Sequence, residues 1–384
     1  MVYNAMRILY IITKSEIGGA QVHLLEVVKY MHRRGYEISV VIGTKGWLTE
    51  ELTATNVDYI VLPDLVREIS PYKDFKAIWR MKKIIKAKSP DIIHCHSSKA
   101  GIVGRIAGWL ENVPTVFTAH GWAFTEGVSL PRRLVYAVIE HIMLIITNRV
   151  FCVSQFDRQL AARWFLHGYK KIITIHNGVT EYDMCEVRST SHTVVKNYSY
   201  KQVHLVMVAR FSHPKDILSL IKAVQQVNQN YAANFVVSFV GDGPLEAECW
   251  EYVQRHDLAS MVNFLGKRTD VGDILKQNDI FCLISNYEGL PISIIEAMRA
   301  GMPIIASDVG GVNELVQDEV NGFLIPRGNI SELVDKLKYI LHHKELIKSM
   351  GEASRKIYEE EYTADKMNQK ILSVYNEVVA LHAK

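Results

Sequence analysis

The sequence predicts two doubly wound, Rossmann-like α/β domains in tandem, and three observations lead there. Short, almost continuously apolar runs alternate with helical patterns along the whole chain. The alternation breaks once, at a polar stretch near the middle. The length of 384 residues exceeds what a single hydrophobic core usually organises.

In the first half, RILYII (7–12), EISVVIG (37–43), DYIVL (58–62), DIIHCH (91–96), PTVFTAH (114–120), RVFCVS (149–154) and KIITIH (171–176) read as strands. Strands this apolar, with helices between them, imply a parallel sheet covered on both faces. The clearest helix is AQVHLLEVVKYMHRRG, closed by Gly35 after Arg33 and Arg34 in the manner of a C-terminal cap. Residues 180–202, TEYDMCEVRSTSHTVVKNYSYKQ, lose the pattern and turn polar, as a linker does. A second series follows: VHLVMVAR (203–210), FVVSFVG (235–241), VNFLG (262–266), DIFCLIS (279–285), PIIASD (303–308) and GFLIP (322–326). From Ile330 the chain reads as helix, with breaks near His342 and Tyr362. The expected organisation is a first domain over 1–180, a linker over 181–202, a second domain over 203–361, and a terminal helix over 362–384 that packs back on the first domain. Two such domains place a cleft at the carboxyl ends of their strands.

Composition narrows the function classes. A chain with 48% hydrophobic and 22% charged residues is ordinary for a globular protein, which excludes disorder as the main theme. Cys95, Cys152, Cys185, Cys249 and Cys282 form no Cys-x-x-Cys pair and no cluster with histidine at metal-ligand spacing, so reduced thiols in a cytoplasmic protein are expected. The opening residues lack a small-residue cleavage site and read as a strand, with no leader expected. The longest apolar stretch, from Leu134, is broken by Glu140, His141 and Arg149 and is too short to span a bilayer. The net charge of +3 hides an asymmetry: a basic surplus over 1–180 and an acidic surplus beyond. The basic run WRMKKIIKAK (79–88), and the apolar segment 130–146 beside Arg132 and Arg133, suit contact with an anionic membrane surface. Burial in the core is the competing reading of 130–146.

The motifs point to a phosphate-bearing ligand. Gly18 and Gly19 stand between the first strand and its helix, where backbone can approach a ligand and a helix N-terminus offers N–H groups to an anion. ARFSHPKD places Arg210 at a strand end and Lys215 before the next helix, the two standard partners of phosphate oxygens. GDGPLEAE (241–248) has two glycines of a dinucleotide fingerprint but Glu246 where the third belongs, so a plain turn is expected there. EGLPISIIEAMRAG sets Glu288 in a loop, Pro291 in the first turn of a helix reaching about Arg299, and Glu296 within that helix, about two turns on from Glu288. His94, His96 and His120 fall at strand ends of the first domain. With no carboxylate or cysteine at matched spacing, no metal is expected there.

Taken together, Gly18-Gly19, Arg210, Lys215, the pair Glu288-x7-Glu296, NGV (177–179) and the long match EGLPISIIEAMRAGMPIIASDVGGVNELV resemble the retaining glycosyltransferases of family 4, which have the GT-B fold of two Rossmann-like domains facing a central cleft. HCHSSKAGIVGRIAG and TAHGWAFTEG look like the branch that builds bacterial capsule and O-antigen polysaccharides. The resemblance implies a nucleotide-sugar donor, UDP by family habit, bound through Gly18, Gly19, Arg210, Lys215, Arg268, Gly289, Leu290, Pro291 and Glu296. It implies Glu288 and His120 as catalytic residues, and His94, His96, Lys99 and Trp122 on the acceptor side. It also implies a lipid-linked saccharide acceptor, peripheral attachment to the inner face of the cell membrane, and no nucleic-acid partner. No Asp-x-Asp is present to hold a divalent ion, so metal-independent transfer of a hexose or N-acetylhexosamine is expected, with no cofactor. A sugar-nucleotide epimerase of the same architecture and a non-catalytic nucleotide-binding assembly protein are the competing readings, with an oxidoreductase last.

Overall fold

The computed structural model describes residues 5–68, 70–125, 127–165, 168–181, 202–230 and 234–383. The chain divides into two compact units: residues 1–178 with 364–384, and residues 179–363. The expected linker lies, over 182–201, outside the described residues.

The first unit runs β1 (Arg7–Ile12), α1 (Gly19–Arg33), β2 (Glu37–Ile42), α2 (Trp47–Ala54), β3 (Asp58–Val61), α3 (Pro71–Lys88), β4 (Ile92–His96), α4 (Ser98–Leu110), β5 (Thr115–Ala119), α5 (Leu130–Ile145), β6 (Arg149–Cys152), α6 (Gln155–Trp164) and β7 (Ile172–Thr174). Its seven strands are parallel in the order β3-β2-β1-β4-β5-β6-β7. Side chains alternate across this sheet. Leu9, Ile11 and Cys95 enter one core with Met81 of α3 and Val103 of α4, while Ile8, Tyr10 and Ile12 enter the other with Leu24 and Val28 of α1. The last helix of the chain, α14 (Ala364–His382), completes that second core through Met367, Ile371, Tyr375 and Val378. It therefore belongs to the first unit, against α1, despite its place in the sequence.

The second unit runs β8 (Val203–Val208), α7 (Ile217–Asn230), β9 (Phe235–Val240), α8 (Glu246–Arg255), β10 (Val262–Phe264), α9 (Val271–Gln277), β11 (Ile280–Leu283), α10 (Ile292–Arg299), β12 (Ile304–Ser307), α11 (Val312–Leu315), β13 (Gly322–Ile325), α12 (Ile330–His342) and α13 (Glu345–Glu361). Its six strands are parallel in the order β10-β9-β8-β11-β12-β13. Pro291 stands just before α10 and not inside its first turn.

Both sheets have the doubly wound order in which the winding direction reverses beside the first strand of the unit. The reversal falls between β1 and β4 in one sheet and between β8 and β11 in the other. Connections leave such a pair toward opposite sides, opening a crevice outside the carboxyl ends, where α/β proteins hold ligands.

Candidate active site at the two switch points

In the second unit the loops after β8 and β11 are zipped together. Lys215 bridges Ser285, Asp216 N donates to Ile284 O at 2.9 Å, and Asn286 N donates to Pro214 O at 2.9 Å. That lacing sets Lys215 Nζ directly on Glu288 Oε1. The two side chains keep only 18% and 10% of their exposure. Removing two ions from water costs several kcal/mol each, which such pairing offsets. The lysine that answers the Glu288 carboxylate comes from the loop after β8, the strand next to β11.

The backbone around Glu288 is equally constrained. Gly310, at φ 58°, lies so near that a Cβ there would sit 1.8 Å from Glu288 O, and Gly311 N donates to Gly289 O at 2.9 Å. No larger residue fits at 310. Gly243 plays the same part in the turn after β9, where a Cβ would come within 2.5 Å of Phe211 O beside Arg210. The incomplete glycine fingerprint is thus a turn pressed against the β8 loop. Pro291 is the N-cap of α10 and no side chain caps that end among the described residues; Ile294 N donates to Pro291 O at 3.2 Å, and the positive end of the helix follows directly on the Glu288 loop. Arg210 is exposed at the end of β8, and Glu296 is partly buried within α10. Arg268, on the loop after β10, donates Nε and Nη2 to Asp270 at 2.8 and 2.6 Å.

In the first unit, Gly18 and Gly19 start α1 on the β1 side of the crevice. Gly18 is extended at φ −175°, a conformation open to any residue, so its use lies in space and not in chirality. From the β4 side comes His96, whose Nδ1 lies 3.1 Å from His120 Nε2, with the rings stacked at 5.4 Å. His23, on α1, joins them with its ring 4.8 Å from that of His120. Burial makes all of these rings reluctant to take a proton. His23 is pushed down to about 4, and His96 and His120 fall well below the ordinary value, with neighbouring imidazoles adding to the burial effect. Neutral rings therefore fill this crevice at physiological pH.

Three of the expected acceptor-side residues are committed elsewhere. His94 is fully buried, with Nδ1 on Tyr375 Oη at 2.5 Å and Nε2 on Thr118 Oγ1 at 2.7 Å, so neither nitrogen remains for a ligand. Lys99 donates to both oxygens of Asp74 at 2.6 and 2.7 Å and ties α4 to α3. Trp122 donates Nε1 to Asp157 O at 2.9 Å and stacks on Phe124 within the core. His96 and His120 stay at the crevice. The sequence reading passed over His23. Its signal was a polar residue on the stripe of α1 that carries the buried Leu24, Val27, Val28 and Met31.

The model of Glycosyltransferase Family 4 matches residues 17–181, and that of Glycosyl transferases group 1 matches residues 194–357. The chain is 31% identical over 349 residues to an Escherichia coli UDP-Gal:alpha-D-GlcNAc-diphosphoundecaprenol alpha-1,3-galactosyltransferase, covering 90% of each chain. It is 28% identical over 351 residues to the O-antigen biosynthesis glycosyltransferase WbnH of Escherichia coli, covering 89% of this chain and 94% of the relative. Among solved structures, HepE of Anabaena in complex with UDP and glucose superposes with a TM-score of 0.78 over 97% of this chain and 99% of that one, at 21% identity. The chain belongs to the group 1, family 4 glycosyltransferases. Its fold is that of the GT-B enzymes, two parallel-sheet Rossmann-like domains.

Proposed function

We propose that this chain is a retaining hexosyltransferase that moves a hexose or N-acetylhexosamine from a UDP-sugar to a polyprenyl-diphosphate-linked saccharide during assembly of a bacterial surface polysaccharide. The observation that carries the reading is the Lys215–Glu288 pair at the switch point of the second unit, beside the N-terminus of α10. It is supported by the Escherichia coli relative named for such a donor and acceptor.

In this reading the donor diphosphate lies against Lys215, Arg210 and the first N–H groups of α10, which together meet the charge that grows on the leaving group. Glu288 accepts from hydroxyls of the transferred sugar, and Glu296 accepts from the ribose. His120, on the first unit, is assigned to the same sugar, and Gly18-Gly19 to close backbone approach. The acceptor hydroxyl attacks from the face that the diphosphate leaves, and its proton passes to the departing phosphate. Retention follows without a covalent intermediate, and no protein base is needed. Positive side chains supply the neutralising charge, so no step calls for a divalent ion.

Peripheral membrane contact at the cytoplasmic face belongs to the same proposal. On α5, Leu130, Leu134, Val135, Val138, Ile142 and Ile145 are all more than half exposed, while Ala137, Glu140, Met143 and Leu144 face the core. An apolar stripe with Arg132 and Arg133 at its start suits insertion at a lipid headgroup boundary. Charge contributes less than the sequence suggested, because α3 spends Lys76 and Arg80 on Asp64, and Lys82 and Lys86 on Glu111. Among the described residues no helix is long and apolar enough to cross a membrane.

The test is transfer in the presence of a chelator, from a panel of UDP-sugars to a synthetic polyprenyl-diphosphate-linked N-acetylglucosamine, with the new linkage read by NMR. One UDP-sugar should give an axial, retained linkage. Transfer with inversion, or a requirement for magnesium, would overturn the mechanism.

A further inference from the structure

Three imidazoles meet at the switch point of the first unit, and sugar transfer as described above uses only one of them. His23 comes from α1, His96 from the end of β4, and His120 follows β5. One ring nitrogen from each lies within 4.8 Å of the other two. His96 Nδ1 and His120 Nε2, at 3.1 Å, are already near the spacing of roughly 3.3 Å that two nitrogens adopt on a tetrahedral zinc with bonds of about 2.0–2.1 Å.

The protonation pattern favours a cation. His23 Nδ1 lies 2.9 Å from Asn177 Oδ1, an oxygen that can only accept, so Nδ1 carries the proton and Nε2 of the neutral ring carries a lone pair. That Nε2 is buried and has no hydrogen-bond partner among the described residues. His96 Nε2 is in the same condition. His23 is 2% exposed and His96 is fully buried, and a polar atom left unmade at such depth costs about 1–3 kcal/mol. The His23 Nε2 orphan beside the His96 Nδ1–His120 Nε2 pair marks a place where a partner is missing, while His96 Nε2 lies on the other side of its ring from the nitrogen that faces His120. Asn177 on His23 is the kind of outer contact that fixes the tautomer and direction of a metal-bound imidazole. His96 is backed by His94, whose ring lies 4.1 Å away and is itself held by Tyr375 and Thr118.

We propose that His23, His96 and His120 form a binding site for a first-row transition-metal dication, zinc foremost. Imidazole donors suit zinc, cobalt, nickel and copper, whereas magnesium and calcium require oxygen ligands and are excluded by this donor set. Three histidines leave a fourth tetrahedral position for water or a ligand oxygen. The site is inhibitory: a bound cation takes His120 away from the sugar. This last step rests on the proposed function, while the binding itself does not.

The experiment titrates chelator-treated full-length protein with Co2+ and then Zn2+, following absorption and heat, with no sugar or acceptor present. One equivalent of cobalt should give the intense visible bands of a four-coordinate ion, zinc should displace it, and magnesium should do neither. His23→Gln should weaken zinc binding by at least about 100-fold and Asn177→Ala by about 10–100-fold. The partly exposed His120→Gln serves if the buried substitution prevents folding. Absence of saturable binding, a six-coordinate cobalt spectrum, or unchanged affinity in either folded histidine variant would overturn the site. Zinc that binds but leaves sugar transfer untouched would overturn its inhibitory effect and the placement of His120 on the sugar, and would leave the metal site standing.

Discussion

The two units share one strand order and fill their switch points with opposite kinds of polar group. In the first, the crevice between β1 and β4 holds His23, His96 and His120, which burial keeps neutral. In the second, the crevice between β8 and β11 holds Lys215 and Glu288, paired directly with each other. The proposed function assigns the neutral crevice to hydroxyl-rich groups and the charged one to the donor diphosphate. The first unit also buries an ion pair, Arg105 Nη1 to Glu140 Oε2 at 2.9 Å, but it ties α4 to α5 away from the crevice. What separates the units is where charge is placed, more than whether the interior tolerates it.

The largest effect is expected at Glu288. Glu288→Gln keeps the shape and removes the charge, so turnover should fall by roughly 10²–10³-fold. UDP affinity should hold or rise, because Lys215 loses its competitor for the diphosphate. Steady-state rates beside calorimetric UDP binding would check both, and a drop in affinity equal to the drop in rate would mean that Glu288 only holds the fold. In the first unit, Glu140→Ala strands Arg105 and should cost about 3–5 kcal/mol in denaturant unfolding while leaving UDP affinity unchanged. A change in UDP affinity there would deny that the two interiors act separately.

Acid sharpens the contrast further. His23 has its folded value lowered to about 4, against an ordinary value near 6.5, so the unfolded chain takes up its proton first. Stability is complete above pH ~6.5 and falls as pH drops toward 4, by about 3 kcal/mol from His23 alone. A melting temperature that stays flat over that window would contradict the neutral interior. The smallest effect is expected at the surface: Val138→Asp on α5 should reduce flotation with anionic liposomes several-fold without touching UDP binding. Wild-type protein that stays wholly in the soluble fraction would remove the membrane contact.

Much of this was legible in the sequence. Each strand of both sheets appeared as an apolar run, because a parallel sheet buried on both faces leaves no room for polar alternation. Arg210, Lys215, Glu288 and His120 were visible because loops at strand ends carry polar residues that no core requires. What stayed hidden depends on contacts between distant segments. His94 and His96 alternate with Cys95 and so share one face of β4, yet only the return of α14, bringing Tyr375, consumes the first and spares the second. Lys99 looked available until α3 supplied Asp74. The pairing of Lys215 with Glu288 spans 73 positions in the chain and could not be read from either motif alone.

The most direct measurement is calorimetric titration of UDP into chelator-treated wild type, Lys215→Ala and His120→Gln. Placing the diphosphate at the charged switch point predicts that UDP binds without metal. Lys215→Ala should weaken binding about 10–100-fold, the loss of one charge-assisted contact, and His120→Gln should leave it unchanged. UDP affinity that requires magnesium, or that is indifferent to Lys215, would contradict that placement.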